Sequence, residues 1–173
     1  MNEQEYKEAA EYWKHKECVA MPAEELREFV EDFLAEKHVC ALATGADGFV
    51  RCTPLEYSYH DGRVWIFTEG GEKFIGLAKN SNVCLAVYDQ DPAFGSLRSV
   101  QLMGRAELVE PMSEVYVAHA EYKKVPVSAL QKLADDGHPM RLLRIQPTHL
   151  DVLCSKFKEQ GFTSRQELEW DAQ

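Results

Sequence analysis

The segment Phe49–Tyr88, FVRCTPLEYSYHDGRVWIFTEGGEKFIGLAKNSNVCLAVY, decides how this chain folds. Two strand-like runs meet at His60-Asp61-Gly62-Arg63. An Asp-Gly pair between alternating apolar residues is the strongest short signal for a β-hairpin, because both turn residues must take positive φ. The second run, Val64–Thr68, leads into Glu69-Gly70-Gly71-Glu72-Lys73. A short helical segment follows over Phe74–Lys79, and Val83–Tyr88 reads as a further strand. A hydroxyl, a glycine pair and a lysine at the end of a hairpin can hold a phosphate beside a sheet.

Upstream, residues 3–17 read as a helix with Tyr6, Ala9, Ala10 and Trp13 near one face, suited to packing on a domain or a partner subunit. Met21-Pro22-Ala23 opens a second helix, since proline suits a first turn. Leu26, Phe29, Val30, Phe33 and Leu34 form its apolar stripe. The period then changes from helical to alternating. His38–Thr44 is a strand closed by Gly45-Ala46-Asp47-Gly48, and Phe49–Tyr59 is the next. Downstream, Ser99–Val109 is a long strand whose Gly104 signals a bulge or a close backbone approach. Met112–Tyr122 and Ser128–Asp135 read as helices. Met140–Ile145 and His149–Leu153 read as a strand pair or one bent strand interrupted by Pro147.

About six short strands with few intervening helices imply a mainly β fold, a six-stranded antiparallel barrel with flanking helices. The early strands lack helical crossovers, which argues against a doubly wound parallel sheet. The whole chain, 1–173, reads as one domain, with 1–22 a helical extension and 156–173 a polar tail anchored by Phe157, Phe162 and Trp170.

Composition narrows the function. With 28% charged and 45% hydrophobic residues, the chain has the make-up of a soluble globular protein. No apolar run approaches the roughly 20 residues of a membrane span, so no membrane partner is expected. The N-terminus is polar and acidic, unlike a secretory signal. Five cysteines without a Cys-x-x-Cys pair fit buried, reduced thiols in the cytoplasm. The net charge of −10 argues against nucleic acid as a partner. One basic pocket can still hold an anion, because fields act over about 8 Å at physiological salt. The histidines, His15, His38, His60, His119, His138 and His149, show no metal-binding spacing, so no metal is expected. Gly70-Gly71-Glu72-Lys73-Phe74 lacks the spaced first glycine and the following Ser or Thr of a P-loop. No Gly-x-Ser-x-Gly elbow is present.

From about residue 24 to 110 the chain resembles the FMN-binding split barrel of the pyridoxamine 5′-phosphate oxidase-like superfamily. The resemblance rests on the order of its pieces. An Arg-led strand with proline, Arg51-Cys52-Thr53-Pro54-Leu55-Glu56, precedes the Asp-Gly hairpin. Phe67-Thr68…Lys73, Leu77-x-x-Asn80-x-x-Val83 and Val100–Ala106 follow it. The resemblance implies a homodimer with FMN at the subunit interface and a small-molecule substrate. It implies that backbone groups from Arg51 to Glu56 bond the polar edge of the ring. Phe67, Thr68 and Lys73 would contact the ribityl phosphate, and Ser99 would approach the flavin from the fifth strand. Read without it, Lys73 is a solvated helix-start lysine, Thr68 a plain strand end, and Arg51 a surface residue paired with Glu56 or Asp61.

The chain departs from the family pattern in two places. The family's Arg-Lys pair at the phosphate is Glu72-Lys73 here, with Glu69 close by. Arg51, or Arg165 of the partner subunit, is expected to supply the missing charge. The Arg-Leu-x-Pro ending of true pyridoxamine phosphate oxidases is absent from Trp170-Asp171-Ala172-Gln173, which counts against vitamin B6 oxidation. The expected function is that of a cytoplasmic FMN-dependent oxidoreductase passing hydride between a nicotinamide or small organic substrate and the flavin. No catalytic residue is singled out. The alternatives are a flavin- or haem-binding module without turnover and a deazaflavin-dependent reductase.

Overall fold

A computed structural model describes residues 2–12 and 16–170. Eight strands form one antiparallel sheet in the order β2-β1-β5-β6-β7-β4-β3, with β8 added on the second half of β7. The strands are β1 (Val39–Ala46), β2 (Phe49–Glu56), β3 (Ser58–His60), β4 (Arg63–Thr68), β5 (Asn82–Tyr88), β6 (Arg98–Val109), β7 (Arg141–Cys154) and β8 (Arg165–Glu169). The helices are α1 (Glu3–Glu11), α2 (Ala23–Glu36), α3 (Lys73–Leu77), α4 (Glu114–Tyr122) and α5 (Val127–Asp135), with a 3₁₀ turn over Ser155–Gln160.

The expected run Phe49–Tyr59 is two strands. Only Tyr57 separates β2 from β3, yet the two lie at opposite ends of the sheet order. Consecutive residues can sit there only if the sheet curls round on itself, and β2 approaches β4 across the gap. Tyr57 pins that corner: its N–H donates to the His38 carbonyl at 2.9 Å and its hydroxyl to the Leu34 carbonyl at 2.8 Å. The result is a barrel left open between β2 and β4. The β3–β4 hairpin turns on Asp61 (φ 52) and Gly62 (φ 66), both left-handed as the Asp-Gly pair requires.

The strand count is eight rather than six. β7 is a single strand despite Pro147, because Pro147 lies opposite Gly104 where the register shifts between Met103 and Gly104. A bulge tolerates a residue without an N–H. The approach there is so close that a Cβ on Gly104 would sit 2.5 Å from the Gln146 carbonyl oxygen. The tail is not merely polar, since β8 turns Gln166 and Leu168 inward and Trp170 is buried beyond it.

The barrel interior takes Cys40 and Leu42 of β1 and Val100, Leu102 and Ala106 of β6, together with Val64, Ile66, Leu143 and Ile145. α2 closes it with Leu26, Val30, Phe33 and Leu34, all at most 2% exposed. Each such side chain contributes on the order of 1.5–3 kcal/mol. A second core lies outside the sheet, where Trp65 and Leu142 meet Tyr116, Ala120 and Leu130 of α4 and α5. α1 buries no residue and is held by a capping box between Asn2 and Glu5. It ends at Glu11, short of the expected 17, and Trp13 and His15 lie outside the described residues. The described cysteines are free, but Cys18 and Cys52 are exposed where burial was expected.

Candidate functional site

Sheet parity divides the residues expected to hold a cofactor. Antiparallel partners share a face. Thr44 lies opposite Arg51, and Arg141 lies opposite Thr68. Leu42, Ile66 and Leu143 belong to the interior core. Thr44, Arg51, Thr53, Thr68 and Arg141 therefore all face the interior, at the end of the barrel where β1 finishes and β7 begins. α3 caps that end. Gly76 of α3 has no room for a Cβ, which would lie 2.9 Å from the Gly45 nitrogen. That close approach seats Lys73 at the mouth of the barrel.

Three cations surround the Glu69–Glu72 loop. Lys73 is only 4% exposed, and its ammonium donates to the Gly70 carbonyl. Arg141 donates from Nη1 to the Glu69 carbonyl at 2.7 Å. Lys73 and Arg141 also share the Phe74 ring, at 5.3 and 6.0 Å from its centroid. Arg51 donates to the Glu72 carboxylate at 2.6 Å, and not to Glu56 or Asp61. Gly70 and Gly71 take φ values of 149 and 101, which brings the loop's backbone round the lysine. Burial holds the Lys73 pKa below its ordinary value, with the Arg51 charge adding to the effect. The hydroxyls of Thr44 and Thr53 are buried on the same face and have no hydrogen-bond partner.

The other expected residues lie elsewhere. Cys52, Pro54 and Glu56 point to the outer face of β2 and are exposed. Ser99 also faces outward and sits at the far end of β6. Val109 is ten positions further along the strand, about 30 Å away. Arg165 occupies the same register row as Ser99, through Leu153, so within one protomer it cannot complete the Lys73 cluster. The Phe67 side chain packs in the second core, its ring 5.4 Å from Tyr116, so only its backbone borders the loop.

The outer face carries a patch of mostly small side chains. Register rows place Cys52, Ala43, Cys84 and Met103 side by side, and Pro54, Ala41, Ala86 and Gln101 beside them. β2 ends the sheet order, so one edge of its backbone pairs with no strand among the described residues. A flat ring can lie against such small side chains, and the strand edge supplies hydrogen-bonding groups.

Two features were missed from sequence. Arg141 is 68 residues from Lys73 and carries no local motif. Two histidines 59 residues apart in sequence meet in the fold, for His60 Nε2 and His119 Nδ1 lie 2.9 Å apart. His60 Nδ1 bonds Asp61 at 2.9 Å, and both rings stack with Trp65. His119 is 2% exposed, and burial, with His60 and Lys123 nearby, lowers its pKa to about 4. No group of three or more potential ligands able to hold a metal ion occurs among the described residues. No helix among them is long and apolar enough to cross a membrane.

Solved structures share this architecture. A FAD-binding protein from Mesorhizobium loti is 24% identical, covering 75% of this chain and 90% of its own at a TM-score of 0.54. A FAD-binding protein from Mycobacterium smegmatis is 22% identical, covering 75% and 93% at 0.53. HutZ, the heme storage protein of Vibrio cholerae, is 18% identical, covering 70% and 89% at 0.56. No curated protein matches the chain. The profile described as pyridoxamine 5′-phosphate oxidase matches residues 26–154, which include every strand but β8 and both ends of the barrel. The chain belongs to the pyridoxamine 5′-phosphate oxidase family.

Proposed function

We propose that the protein is an FMN-binding flavoprotein, a homodimeric oxidoreductase that passes hydride between a nicotinamide or small organic substrate and the flavin. One observation carries the reading: Lys73 is buried among cations at the barrel mouth and answered by a carbonyl rather than a carboxylate. Burying an uncompensated ammonium is unfavourable, so such an arrangement makes sense as preparation for an anion. Phosphate supplies two negative charges and acceptor oxygens suited to Lys73, Arg51 and the Thr68 hydroxyl.

The ring would lie along β2. The free edge of Arg51–Glu56 offers backbone groups to its polar rim, and the patch of Ala41, Ala43, Cys84 and Ala86 offers an apolar bed. One protomer leaves that bed open. A second copy laid against it would cover the ring and bring Ser99 and Arg165 of the partner subunit towards the flavin. Bound flavin supplies the redox chemistry, while the chain binds it, orients it and excludes water. Hydride transfer needs no protein base, in keeping with a mouth lined by cations and hydroxyls.

The visible spectrum of the purified protein tests this reading. A flavin spectrum bleached by NADH or NADPH, from a particle of twice the chain mass, is the expected result. A flavin spectrum indifferent to both nucleotides would make the protein a binding module, and a Soret band would make it a haem protein. A colourless monomer that takes up no FMN would overturn the reading.

A further inference from the structure

We infer that Arg141, the first residue of β7, is the second phosphate-binding cation of this site, occupying the role that Glu72 cannot fill; the inference rests on the FMN reading above. Lys73 needs a companion, because a phosphate dianion carries up to two charges. Arg51 is a poor one, since Glu72 already holds it at 2.6 Å. Arg141 is differently placed. Among the described residues its side chain makes one hydrogen bond, from Nη1 to the Glu69 carbonyl, a neutral group, and no carboxylate pairs with it. Guanidinium has five N–H donors in a planar fork, so most remain for a ligand.

The fold fixes where those donors point. Arg141 is paired with Thr68 across the β4–β7 ladder and shares its face. Gly70 lies directly against the guanidinium: a Cβ there would be in van der Waals contact with Arg141 Nη1, at 3.7 Å. A Cβ on Gly71 would lie 3.7 Å from Lys73 Nζ. The two cations thus border the two glycines, both within 6.0 Å of the centre of the Phe74 ring. Such a pair takes a terminal phosphate between them, Lys73 as a point charge and Arg141 through two parallel bonds. Arg141 therefore sets the preference for a phosphorylated flavin over the bare ring.

The test titrates flavin-stripped protein with FMN and with riboflavin, which differ by the phosphate alone. Arg141→Gln keeps a donor for the Glu69 carbonyl and removes the charge. It should weaken FMN binding roughly tenfold to a hundredfold and leave riboflavin binding unchanged. Arg141→Lys should recover part of the loss, and thermal unfolding should show that both variants fold. Unchanged FMN affinity in Arg141→Gln would overturn the inference, as would equal losses for the two ligands. If the parent protein fails to distinguish FMN from riboflavin, the phosphate site itself is wrong, and the inference goes with it.

Discussion

The two ends of the barrel each gather positive charge, and they handle it in opposite ways. At one end Arg98 donates from Nε and Nη2 to Asp89 at 2.9 Å and from Nη1 and Nη2 to Glu36 at 3.1 Å. Lys37 joins the same two carboxylates, at 2.8 and 2.9 Å. Two cations meet two anions and the account closes, although a cavity of about 740 Å³ lined by Phe29 and Phe157 opens beside them. At the other end the hydrogen bonds of the Lys73 and Arg141 side chains among the described residues go to carbonyls, and one carboxylate, Glu72, answers Arg51. A closed network is structural, whereas an open one awaits a ligand. The size of a cavity does not distinguish them, but the partners of the cations do.

The largest expected effect comes from a third basic group, His119, which contacts no carboxylate among the described residues and avoids the charge instead. Its partners are His60, Trp65, Phe67 and Tyr122, with Asp61 beyond His60 and Lys123 nearby. Its pKa falls from 6.5 to about 4, so between those values the unfolded chain binds the proton and the folded chain does not. Stability from this group is complete above about pH 6.5 and is lost as pH falls towards 4, up to about 3 kcal/mol. His149, held by Glu169 and Asp151, has a raised pKa and acts the other way, losing its contribution as pH rises. Denaturant midpoints of the parent and His119→Gln from pH 4 to 7.5 separate the two. Parallel curves would show that His119 binds its proton equally well in the folded and unfolded chains, so that burial does not lower its pKa.

Lys73→Met and Arg98→Ala test the comparison directly. Lys73→Met should weaken FMN by about 1.5–3 kcal/mol, one charge-assisted bond, while folding stability holds or rises, because a desolvated ammonium is exchanged for an apolar chain. Arg98→Ala should do the reverse. Its bonds hold the Asp89 pKa down from 3.8 to about 2, so the loss should be about 2 kcal/mol of stability at neutral pH. FMN affinity should not move. Calorimetry of folding and of FMN binding on both variants gives the answer. A fall in both quantities for either variant would erase the distinction between the ends.

How much of this was legible depended on the range of the interaction. The hairpin was readable because Asp61 and Gly62 encode their own backbone conformation. α2 was readable because its stripe repeats within a few residues. β8 was not, because Arg165–Glu169 looks solvated. Its inward Gln166 is satisfied by bonds to Met21, Val19 and Thr163 that no local pattern announces. β7 stayed open between one bent strand and two, because Pro147 is acceptable within a strand only opposite Gly104, 43 residues earlier. The same rule governs the site. Thr68 and Lys73 lie in one loop and could be singled out, whereas Arg141 arrives through the β4–β7 ladder and His119 through helix docking.

The smallest effect concerns Glu72, the carboxylate paired with Arg51 at the open end. Glu72 and Arg51 have side chains 60% and 47% exposed, so their pairing contributes at most about 1 kcal/mol to folding. Glu72→Gln should hardly move the unfolding midpoint. Its effect on FMN should be favourable, because a phosphate that uses Arg51 must first displace the carboxylate and then sit beside its charge. Removing that competitor should tighten FMN by roughly two- to fivefold, more at low salt than at high, since an exposed charge is screened within about 10 Å at 0.1 M. Riboflavin should bind Glu72→Gln as it binds the parent. The equivalent change at the closed end, Glu36→Gln, removes an anion that Arg98 needs, so it should lower stability and leave both flavins alone. If Glu72→Gln instead weakens FMN, the carboxylate is positioning Arg51 for the ligand rather than competing with it, and the mouth resembles the closed end more than its carbonyl contacts suggest.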